Sequence, residues 1–471
     1  MTVRFLLNGQ PVQVDAVEPH VSLLEWLRSA GLPGAKEGCA EGECGACAVA
    51  VLRRAANGRA RYEAVNSCLV PLASVHDQSI TTVEGVAAPE GELHPAQRAL
   101  VETGGSQCGY CTPGFVMSLF CEYYRPGRTE YDPECISGNL CRCTGYRPIV
   151  DAAKALGAPQ ADDPKLIPLC TSPPARTAFE HHAAGRRFVR PISLSAALEH
   201  LERVPDTVPM TGATDLMVYS NLRDQRWTSV LALDAVEELR HFEVTATELT
   251  IGAAVTLSEI EAELASQLAG ELPLLEHMLA LFASRLIRNR ATLGGNLATA
   301  SPIGDSAPAL LALDASVTLV SAKSRRRLPL DSLFTGYRKT ALAPAELIHS
   351  IHVPRPAPGE QRFYKVSKRR LDDISTVAAA FALDLEPDCR IRSLRIAYGG
   401  VAETPLRARH IERRAQGLPW DETSVSTLAK ELEHVASPLS DQRGSAAYRR
   451  AMIVRLFEKF FADTARSEAA Q

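Results

Sequence analysis

The sequence of 471 residues has no long apolar run and little excess of charge. No stretch approaches the roughly 18 consecutive apolar residues of a membrane span, so we expect no membrane association. The net charge is −4, and no basic stripe is interleaved with the aromatic residues that make up 6% of the chain, so we expect no nucleic-acid partner. Arg4 and Asn8 interrupt the short apolar run at residues 5–7, which argues against a signal peptide and predicts a cytoplasmic protein.

Several enzyme signatures are also missing. The sequence has no G-x-G-x-x-G Rossmann fingerprint and no Walker A loop, so it lacks two common phosphate-binding turns. It also has no H-E-x-x-H zinc site and no G-x-S-x-G nucleophile elbow. No local pattern therefore favours hydrolysis or a catalytic triad.

Cysteine, in contrast, is plentiful. It occurs twelve times, and most of these residues fall near the N-terminus in two groups. Because the cytosol disfavours disulfides, we expect the grouped thiols to bind metal. The first group is Cys39, Cys44, Cys47 and Cys68, and the second is Cys108, Cys111, Cys141 and Cys143.

The spacing of the first group is specific. Its first three members read C-x4-C-x2-C, and Cys68 follows at a distance. This is the pattern of a plant-type 2Fe–2S site, in which four thiolates hold two irons. Structural zinc typically uses two short C-x2-4-C knuckles, which fits this group poorly. The glycine-rich stretch from Gly34 to Cys47 predicts a loop whose backbone approaches the cluster closely.

The second group reads C-x2-C and C-x-C and supplies four more thiolates. Beside the first group it predicts a second 2Fe–2S cluster, although the spacing alone is also compatible with zinc. Two neighbouring clusters indicate electron transfer. Four cysteines stand alone and are expected to behave as small hydrophobic residues, with Cys135 as a possible substitute ligand for the second cluster: Cys121, Cys135, Cys170 and Cys389.

The apolar pattern changes along the chain. Asn8-Gly9 between two apolar runs predicts a β-hairpin, and Ser22 with Glu25 predicts a capped helix. From His94 the pattern is helical, with starts at Thr112-Pro113, Asp132-Pro133 and Arg147-Pro148. After about residue 157 a proline-rich stretch without periodicity indicates an interdomain linker. From about residue 190 strands, helices and glycine loops alternate, strand-like runs follow at 376–385 and 394–398, and a helix is predicted at 446–461.

Two glycine loops have the composition of a pyrophosphate cradle. They lie at Gly212 and at Gly294-Gly295-Asn296, where backbone N–H groups and nearby threonines could donate to phosphate oxygens. Plain turns have the same composition, so both interpretations stay open from composition alone, and composition does not name the nucleotide.

The motifs resemble those of the molybdenum hydroxylases. E-G-C-A-E-G-E-C-G-A-C at 37–47, Q-C-G-Y-C-T-P-G at 107–114 and N-L-C-R-C-T-G-Y at 139–146 are similar to the two iron–sulfur domains of that family. T-L-G-G-N at 292–296, S-P-I-G-D at 301–305, Y-R-K-T at 337–340 and K-V-S-K-R-R-L-D-D-I at 365–374 look like the flavin domain of xanthine dehydrogenases. The resemblance runs from residue 1 to at least residue 450, and it is to the small subunit of bacterial two-subunit enzymes.

The resemblance implies a multidomain α+β fold. Residues 1–84 would form a plant-type, ferredoxin-like β-grasp 2Fe–2S domain, and residues 85–157 a four-helix 2Fe–2S domain. A linker would occupy residues 158–187. A non-Rossmann α+β FAD-binding domain would follow at 188–360, with a C-terminal α/β flavoprotein domain at 361–471.

The resemblance also implies residues for each cofactor. The FAD contacts would be Pro209, Met210, Thr211, Gly212, Ala213, Thr214, Asp215, Leu216, Phe282, Thr292, Leu293, Gly294, Gly295, Asn296, Thr299, Asp305, Ile348 and Lys365. The residues near the nicotinamide entrance would be Tyr337, Arg370 and Asp372. Taken without the resemblance, Phe282 would be interpreted as a core aromatic residue. Two positions depart from the family pattern: Ala213 replaces a residue that is often glycine, and Leu371 replaces a common acidic residue.

The implied function is electron transfer within a xanthine dehydrogenase. Electrons from a molybdenum cofactor in a larger partner subunit would pass through both 2Fe–2S clusters to FAD and then to NAD, and the partner would hydroxylate hypoxanthine or xanthine to urate. No catalytic residue is expected in this chain, and a pair of heterodimers is expected. One alternative keeps the architecture and changes the substrate to an aldehyde or another N-heterocycle, and another is a zinc-stabilised scaffold without redox activity.

Overall fold

The computed structural model describes residues 2–54, 58, 60–88, 91–171, 173 and 175–468. These residues form two compact units. Unit 1 comprises Met1–Glu237 and Ala283–Ala291, and unit 2 comprises Glu238–Phe282 and Thr292–Gln471. Met1 and the last three residues, which belong to the predicted first and last domains, lie outside the described residues.

Unit 1 begins with a mixed five-stranded sheet and one helix. The elements are β1 (Val3–Leu7), β2 (Gln10–Val14), α1 (Leu23–Ser29), β3 (Ala48–Arg54), β4 (Ala60–Asn66) and β5 (Ser79–Thr81). The strand order is β2-β1-β5-β3-β4, with β1 and β5 parallel. Asn8 and Gly9 have φ values of 52° and 81°, so the predicted hairpin is confirmed. The predicted N-cap is also confirmed, because Ser22 Oγ accepts from the Glu25 N–H at 3.1 Å.

A helical region follows, with α2 (Pro95–Glu102), α3 (Thr112–Tyr123) and α4 (Arg147–Ala155). Thr112 is the first helical residue of α3 rather than its N-cap, because Cys111 occupies the cap position. Asp132 caps only a 3-10 turn, Pro133–Ile136. The region predicted to have four helices therefore has three α-helices and this turn in the part that the structure describes.

The stretch predicted as a linker, residues 158–187, contains regular structure and is bonded to other parts of unit 1. It includes α5 (Ile167–Cys170) and β6 (Phe179–Ala183). Lys165 Nζ donates to the Gly85 carbonyl at 2.6 Å, and Arg176 pairs with Asp234 at 2.6 Å. β6 joins a second sheet, in the order β6-β7-β9-β8. The remaining elements of this part are β7 (Arg186–Arg190), α6 (Leu194–Arg203), β8 (Thr207–Met210), α7 (Leu216–Arg223) and β9 (Ser229–Ala232).

Unit 2 begins with β10 (Phe242–Val244), β11 (Glu248–Gly252), α8 (Leu257–Gln267) and α9 (Pro273–Leu281). The short helix α10 (Arg285–Arg288) belongs to unit 1. The next elements are α11 (Leu293–Thr299), α12 (Ser306–Ala312), β12 (Ser316–Val320), β13 (Arg325–Pro329), β14 (Phe334–Gly336), β15 (Lys339–Thr340) and β16 (Leu347–Pro354). An antiparallel sheet in the order β10-β11-β16-β12-β13 organises this part.

The last part of unit 2 has a four-stranded sheet and three helices. Its elements are β17 (Glu360–Val366), β18 (Val377–Leu385), β19 (Ile391–Gly399), β20 (Leu406–Arg407), α13 (Arg409–Ala415), α14 (Glu422–Leu432) and α15 (Ala446–Glu468). All strand pairs are antiparallel and the helices follow the strands, so this part is α+β rather than the predicted α/β. Phe381 of β18 stacks on Phe460 of α15 with ring centroids 5.1 Å apart, which packs the sheet against that helix.

Among the described residues, no helix combines the length and the apolar character needed to cross a bilayer.

Candidate metal and flavin sites

The first cysteine set lies where the loop before β3 meets the turn after β4. Cys47 directly precedes β3, and Cys68 lies in a 3-10 turn that follows β4. The Sγ atoms of these two residues are 3.4 Å apart, and each residue is only 2% exposed. Cys39 and Cys44 form a second hydrogen-bonded pair in the loop. The fold thus gathers the four thiols of this set as two pairs.

Backbone N–H groups point at these sulfurs. The Glu41 N–H donates to Cys39 Sγ across 3.5 Å. The hydrogen bond from the Cys44 thiol, opposed by burial and assisted by backbone N–H groups, lowers the pKa of Cys39 to about 5. The hydrogen bond from Cys68 likewise lowers the pKa of Cys47. Cys39 and Cys47 are therefore favoured as thiolates, the form that binds metal, whereas the same hydrogen bonds raise the pKa of their partners Cys44 and Cys68.

Glycine is required in this loop by space. A Cβ atom at Gly38 would lie 2.8 Å from Cys44 Sγ, closer than real contacts allow. Gly42 and Gly45 have φ values of 86° and 65°, in the left-handed region that favours glycine. The predicted close approach of the backbone to the sulfurs is therefore confirmed.

The second cysteine set meets solvent. Cys108 and Cys143 are exposed and hydrogen-bond to each other, and Cys111 pairs with Cys141. Cys141 Sγ lies 3.5 Å from the Thr144 N–H and 3.2 Å from Thr144 Oγ1. The Tyr110 N–H lowers the pKa of Cys108, whereas burial raises the pKa of Cys111 to about 12. This set also forms two pairs, at the surface.

The pairwise arrangement suits a two-iron cluster, in which each iron takes two thiolates. The four thiols of each set therefore fit a 2Fe–2S group by number, donor type and pairing.

The two cysteine loops are joined through the backbone. The Leu140 N–H, adjacent to Cys141, donates to the Cys44 carbonyl at 3.0 Å. Asn139 Nδ2 donates to the Gly45 carbonyl at 3.3 Å. A Cβ at Gly45 would lie 2.3 Å from the Gly138 carbonyl oxygen, so no side chain fits there. One hydrogen bond and one peptide link thus connect Cys44 of the first set to Cys141 of the second.

The predicted flavin loop of unit 1 connects β8 to α7. It contains Pro209 and Met210 at the end of β8, then Thr211 to Asp215, and Leu216 at the start of α7. A Cβ at Gly212 would lie 2.0 Å from the Arg290 carbonyl oxygen, and Arg290 Nε donates to the Gly212 carbonyl at 3.0 Å. Ala213 has a φ of 66°, which costs an L residue roughly 1–2 kcal/mol. The family departure at this position is therefore accommodated with backbone strain.

The second predicted flavin loop lies in unit 2 and leads into α11. Thr292 Oγ1 accepts from the Gly295 N–H at 3.1 Å and caps the helix that contains Leu293, Asn296 and Thr299. A Cβ at Gly294 would lie 2.5 Å from Ala253 Cβ. The helix start is therefore pressed against the chain that follows β11.

A buried ion pair follows this helix. Lys365 Nζ is 2.8 Å from Asp305 Oδ2 and also donates to the Leu281 carbonyl at 3.0 Å. Ser375 Oγ donates to Asp305 Oδ1 at 2.5 Å. The side chains of Lys365 and Asp305 are 4% and 7% exposed. Unit 2 thus brings two predicted flavin residues together and adds Ser375, which the sequence did not indicate.

The remaining predicted residues lie at defined positions. Phe282 caps the C-terminus of α9 and is half-buried, and Ile348 is buried in β16 beside a register shift against β12. Tyr337, 58% exposed, lies in the turn between β14 and β15. Arg370 is exposed and Asp372 is buried, both in the loop between β17 and β18.

Four family models match the chain in succession. The 2Fe–2S iron–sulfur cluster binding domain matches residues 5–73, and the [2Fe–2S] binding domain matches residues 82–154. The FAD binding domain in molybdopterin dehydrogenase matches residues 179–356, and the CO dehydrogenase flavoprotein C-terminal domain matches residues 362–464.

Known proteins give the same result. A xanthine dehydrogenase of Emericella nidulans is 32% identical over 98% of this chain and 38% of its own length. Among solved structures, quinoline 2-oxidoreductase from Pseudomonas putida 86 is 26% identical with a TM-score of 0.54, covering 59% of this chain and 96% of the matched one. A carbon monoxide dehydrogenase from Hydrogenophaga pseudoflava is also 26% identical, with a TM-score of 0.54 over 58% of this chain and 94% of the matched one.

The chain consists of the iron–sulfur and FAD-binding domains of the molybdenum hydroxylase family. The predicted fold class, two 2Fe–2S domains followed by an FAD-binding and a C-terminal flavoprotein domain, is confirmed. The chain spans about two fifths of the length of the xanthine dehydrogenases that it matches. Both N-terminal matches are 2Fe–2S models, which goes against the zinc alternative for either cysteine set.

Sequence reasoning missed the segment Ala283–Ala291, which lies between Phe282 and Thr292. Arg288 is buried and pairs with Glu134 at 2.7 Å, and Asn289 Nδ2 donates to the Ala64 carbonyl at 2.8 Å. The sequence feature that could have indicated this segment is the presence of charged residues inside the otherwise apolar run at 278–291. The segment fastens the flavoprotein sequence to both iron–sulfur domains within unit 1.

Proposed function

We propose that this chain is the electron-transfer subunit of a xanthine dehydrogenase. In this role it carries electrons from a molybdopterin-binding partner to NAD during hydroxylation of hypoxanthine or xanthine to urate. The observation that carries the proposal is the pair of thiol sets joined through the Leu140 N–H and the Cys44 carbonyl, in a chain that continues into an FAD-binding domain.

When bound, the 2Fe–2S clusters and FAD supply one-electron and two-electron redox chemistry. The protein's part is to hold and tune them. Cys39, Cys44, Cys47 and Cys68 would hold the first cluster, and Cys108, Cys111, Cys141 and Cys143 the second. The Glu41 and Thr144 N–H groups stabilise negative charge on sulfur, and burial keeps water from the Cys47 and Cys68 sulfurs of the first set.

The predicted FAD contacts divide between the two loops and the ion pair. The loop at Gly212 and the capped turn at Thr292 present backbone N–H groups of the kind that bind phosphate oxygens. Lys365 and Asp305 place a fixed charge pair in a buried position. Tyr337, Arg370 and Asp372 are proposed to lie on the NAD side. The domain boundaries, the cytoplasmic location and these residue roles stay predictions.

The partner is proposed to be a larger chain that holds molybdopterin. Its support is that the matched xanthine dehydrogenases are longer than this chain, which aligns to 38% of the first of them. We propose that one such chain pairs with this one and that two pairs associate. Substrate would bind in the partner, so no catalytic residue is proposed here.

A second candidate substrate class has specific support. Solved relatives include a quinoline 2-oxidoreductase and carbon monoxide dehydrogenases, which shows that similar flavoprotein folds serve other substrates. An aldehyde or another N-heterocycle is therefore the alternative, with the same electron path.

Co-purification with the partner tests both candidates. The complex should contain iron, flavin and molybdenum, and should form NADH from NAD with hypoxanthine or xanthine as substrate. NADH formation only with an aldehyde or a quinoline would favour the alternative. A colourless chain that contains zinc and no iron would refute both.

A further inference from the structure

One buried arginine joins three loops of unit 2. Arg449 lies in the first turn of α15 and is 2% exposed. Its guanidinium donates to the carbonyl oxygens of Thr376 and Gly400, the latter at 2.7 Å, and to Asp441 Oδ1 at 2.7 Å. A buried guanidinium is costly unless its donors are satisfied; its two terminal nitrogens reach these three acceptors, whereas Nε has no partner among the described residues, so the three acceptors define its position.

Two of these acceptors lead directly to Asp305. The Thr376 N–H donates to the Val366 carbonyl at 2.7 Å and closes the base of the loop at residues 367–375. Ser375, adjacent to Thr376, donates to Asp305 Oδ1. The Gly400 N–H donates to the carbonyl of Pro302, three residues before Asp305, at 2.7 Å. The two carbonyl groups that Arg449 binds therefore belong to chain segments that contact either Asp305 or the loop that precedes it.

The third acceptor fixes a turn against the same loop. Asp441 Oδ1 also accepts from the Arg443 N–H at 2.9 Å, and the Arg443 carbonyl accepts from Thr376 Oγ1 at 3.3 Å. The next residue back, Gln442, accepts from Lys368 Nζ at 3.0 Å. The turn thus contacts the loop at both of its ends.

Gly400, Thr376 and Arg449 are closely packed where they meet. Gly400 has a φ of 78°, and a Cβ there would lie 2.5 Å from the Thr376 carbonyl oxygen and 3.2 Å from Arg449. The two carbonyls therefore approach one guanidinium at close quarters, and a shorter or uncharged side chain at position 449 would leave them without their donor.

We propose that Arg449 is a positioning residue for the flavin site: it fixes residues 366–376 so that Ser375 and Lys365 hold Asp305 in place. The inference rests on the proposed function, because Asp305 and Lys365 are assigned to FAD by resemblance. It extends that function to a residue outside every motif that indicated it.

The test uses the full chain with both clusters and FAD. Arg449→Met should raise the Kd for FAD on the order of tenfold, since two or three hydrogen bonds to a charged group are lost. It should also shift the visible flavin spectrum and raise the KM for NADH in the reduction of ferricyanide, while the iron–sulfur EPR signals stay unchanged. Arg449→Lys should fall between, because it keeps the charge without the planar fork. The exposed neighbour supplies the control, Arg450→Met, which should match wild type.

A folded Arg449→Met chain with wild-type FAD affinity, flavin spectrum and KM overturns the inference. If that variant does not fold, Ser375→Ala decides, because it removes only the hydroxyl bond to Asp305. The inference then requires a shifted flavin spectrum at unchanged Tm, and a wild-type spectrum overturns it. A wild-type chain that binds no FAD refutes the proposed function itself, which distinguishes the two failures.

Discussion

The two cysteine sets use the same number of thiols but differ in the exposure of two of them, the other two being half-buried in each set. In the first set Cys47 and Cys68 are buried, whereas in the second set Cys108 and Cys143 are exposed. Burial and N–H bonds to sulfur both tune the potential of a thiolate-held cluster, so the two centres are not equivalent. Similar loops can thus form one site with two buried thiols against a sheet and another with two exposed thiols at the surface.

Removal of one ligand should give the largest difference between the sets. We expect Cys68→Ala and Cys143→Ala each to lose about half of the iron, because each cluster needs four thiolates. Cys68→Ala should also cost at least about 3 kcal/mol of stability, since it opens a buried site whose metal contributes to folding. Iron analysis and thermal unfolding check both effects.

The lone, exposed Cys389 provides the control for these variants. Cys389→Ala should keep all of the iron and the wild-type Tm. Equal losses of Tm in Cys68→Ala and Cys143→Ala would contradict the distinction between a buried and an exposed set.

The two sets should also differ in how fast chemical reagents destroy their clusters. Susceptibility of thiolates to oxidation follows their exposure, so we expect the second cluster to bleach on the order of tenfold faster under ferricyanide and chelator. EPR of samples taken at intervals and reduced with dithionite follows each cluster. Equal rates of loss, or faster loss of the first cluster, would show that exposure does not control access.

Two glycines, one in each cysteine loop, differ in how crowded they are. Gly45 has a φ of 65° and is crowded by the Gly138 carbonyl, whereas Gly109 has a φ of 81° and no atom within 4 Å of its Cβ position. Gly109→Ala should cost about 1 kcal/mol from backbone strain alone, and Gly45→Ala about 3 kcal/mol or more because the junction of the loops must also shift. Denaturant unfolding measures both. Equal costs would refute the crowding at Gly45.

The last difference concerns pH in the helical region. Burial lowers the pKa of His94 to about 4, and its ring bonds to Tyr124 and to the Ala96 N–H. As the pH falls from about 6.5 to 4, His94 becomes protonated in the unfolded chain but stays neutral in the folded chain. Stability is therefore lost across that pH window. We expect a loss of about 2 kcal/mol there and no change above it.

His94→Asn keeps a capping acceptor and cannot titrate, so it should flatten this part of the pH dependence. Thermal unfolding at pH 7.5 and at pH 5 measures the difference. His20, whose pKa burial also lowers to about 4, lies before α1 and retains its contribution in the variant.

Much of the part of the chain that contains the two cysteine sets could be predicted from local signals. The Asn8-Gly9 turn, the Ser22 cap and the glycine loop around Cys44 each follow from two or three neighbouring residues, and both cysteine sets follow from spacing. The cap of α3 was displaced to Cys111 because the N-terminal proline is tolerated at either of two positions. The contacts of Arg449 could not be predicted, because Thr376, Gly400 and Asp441 are distant in sequence and share no pattern.

The hydrogen bond from Leu140 to the Cys44 carbonyl also bears on biosynthesis. It ties the loop of the first set, in which Cys39 and Cys44 are half-buried, to the loop of the second set, in which Cys108 and Cys143 are exposed. A change in the position of one cysteine loop would therefore be transmitted to the other, so we expect iron loading of the two sites to be coupled rather than independent.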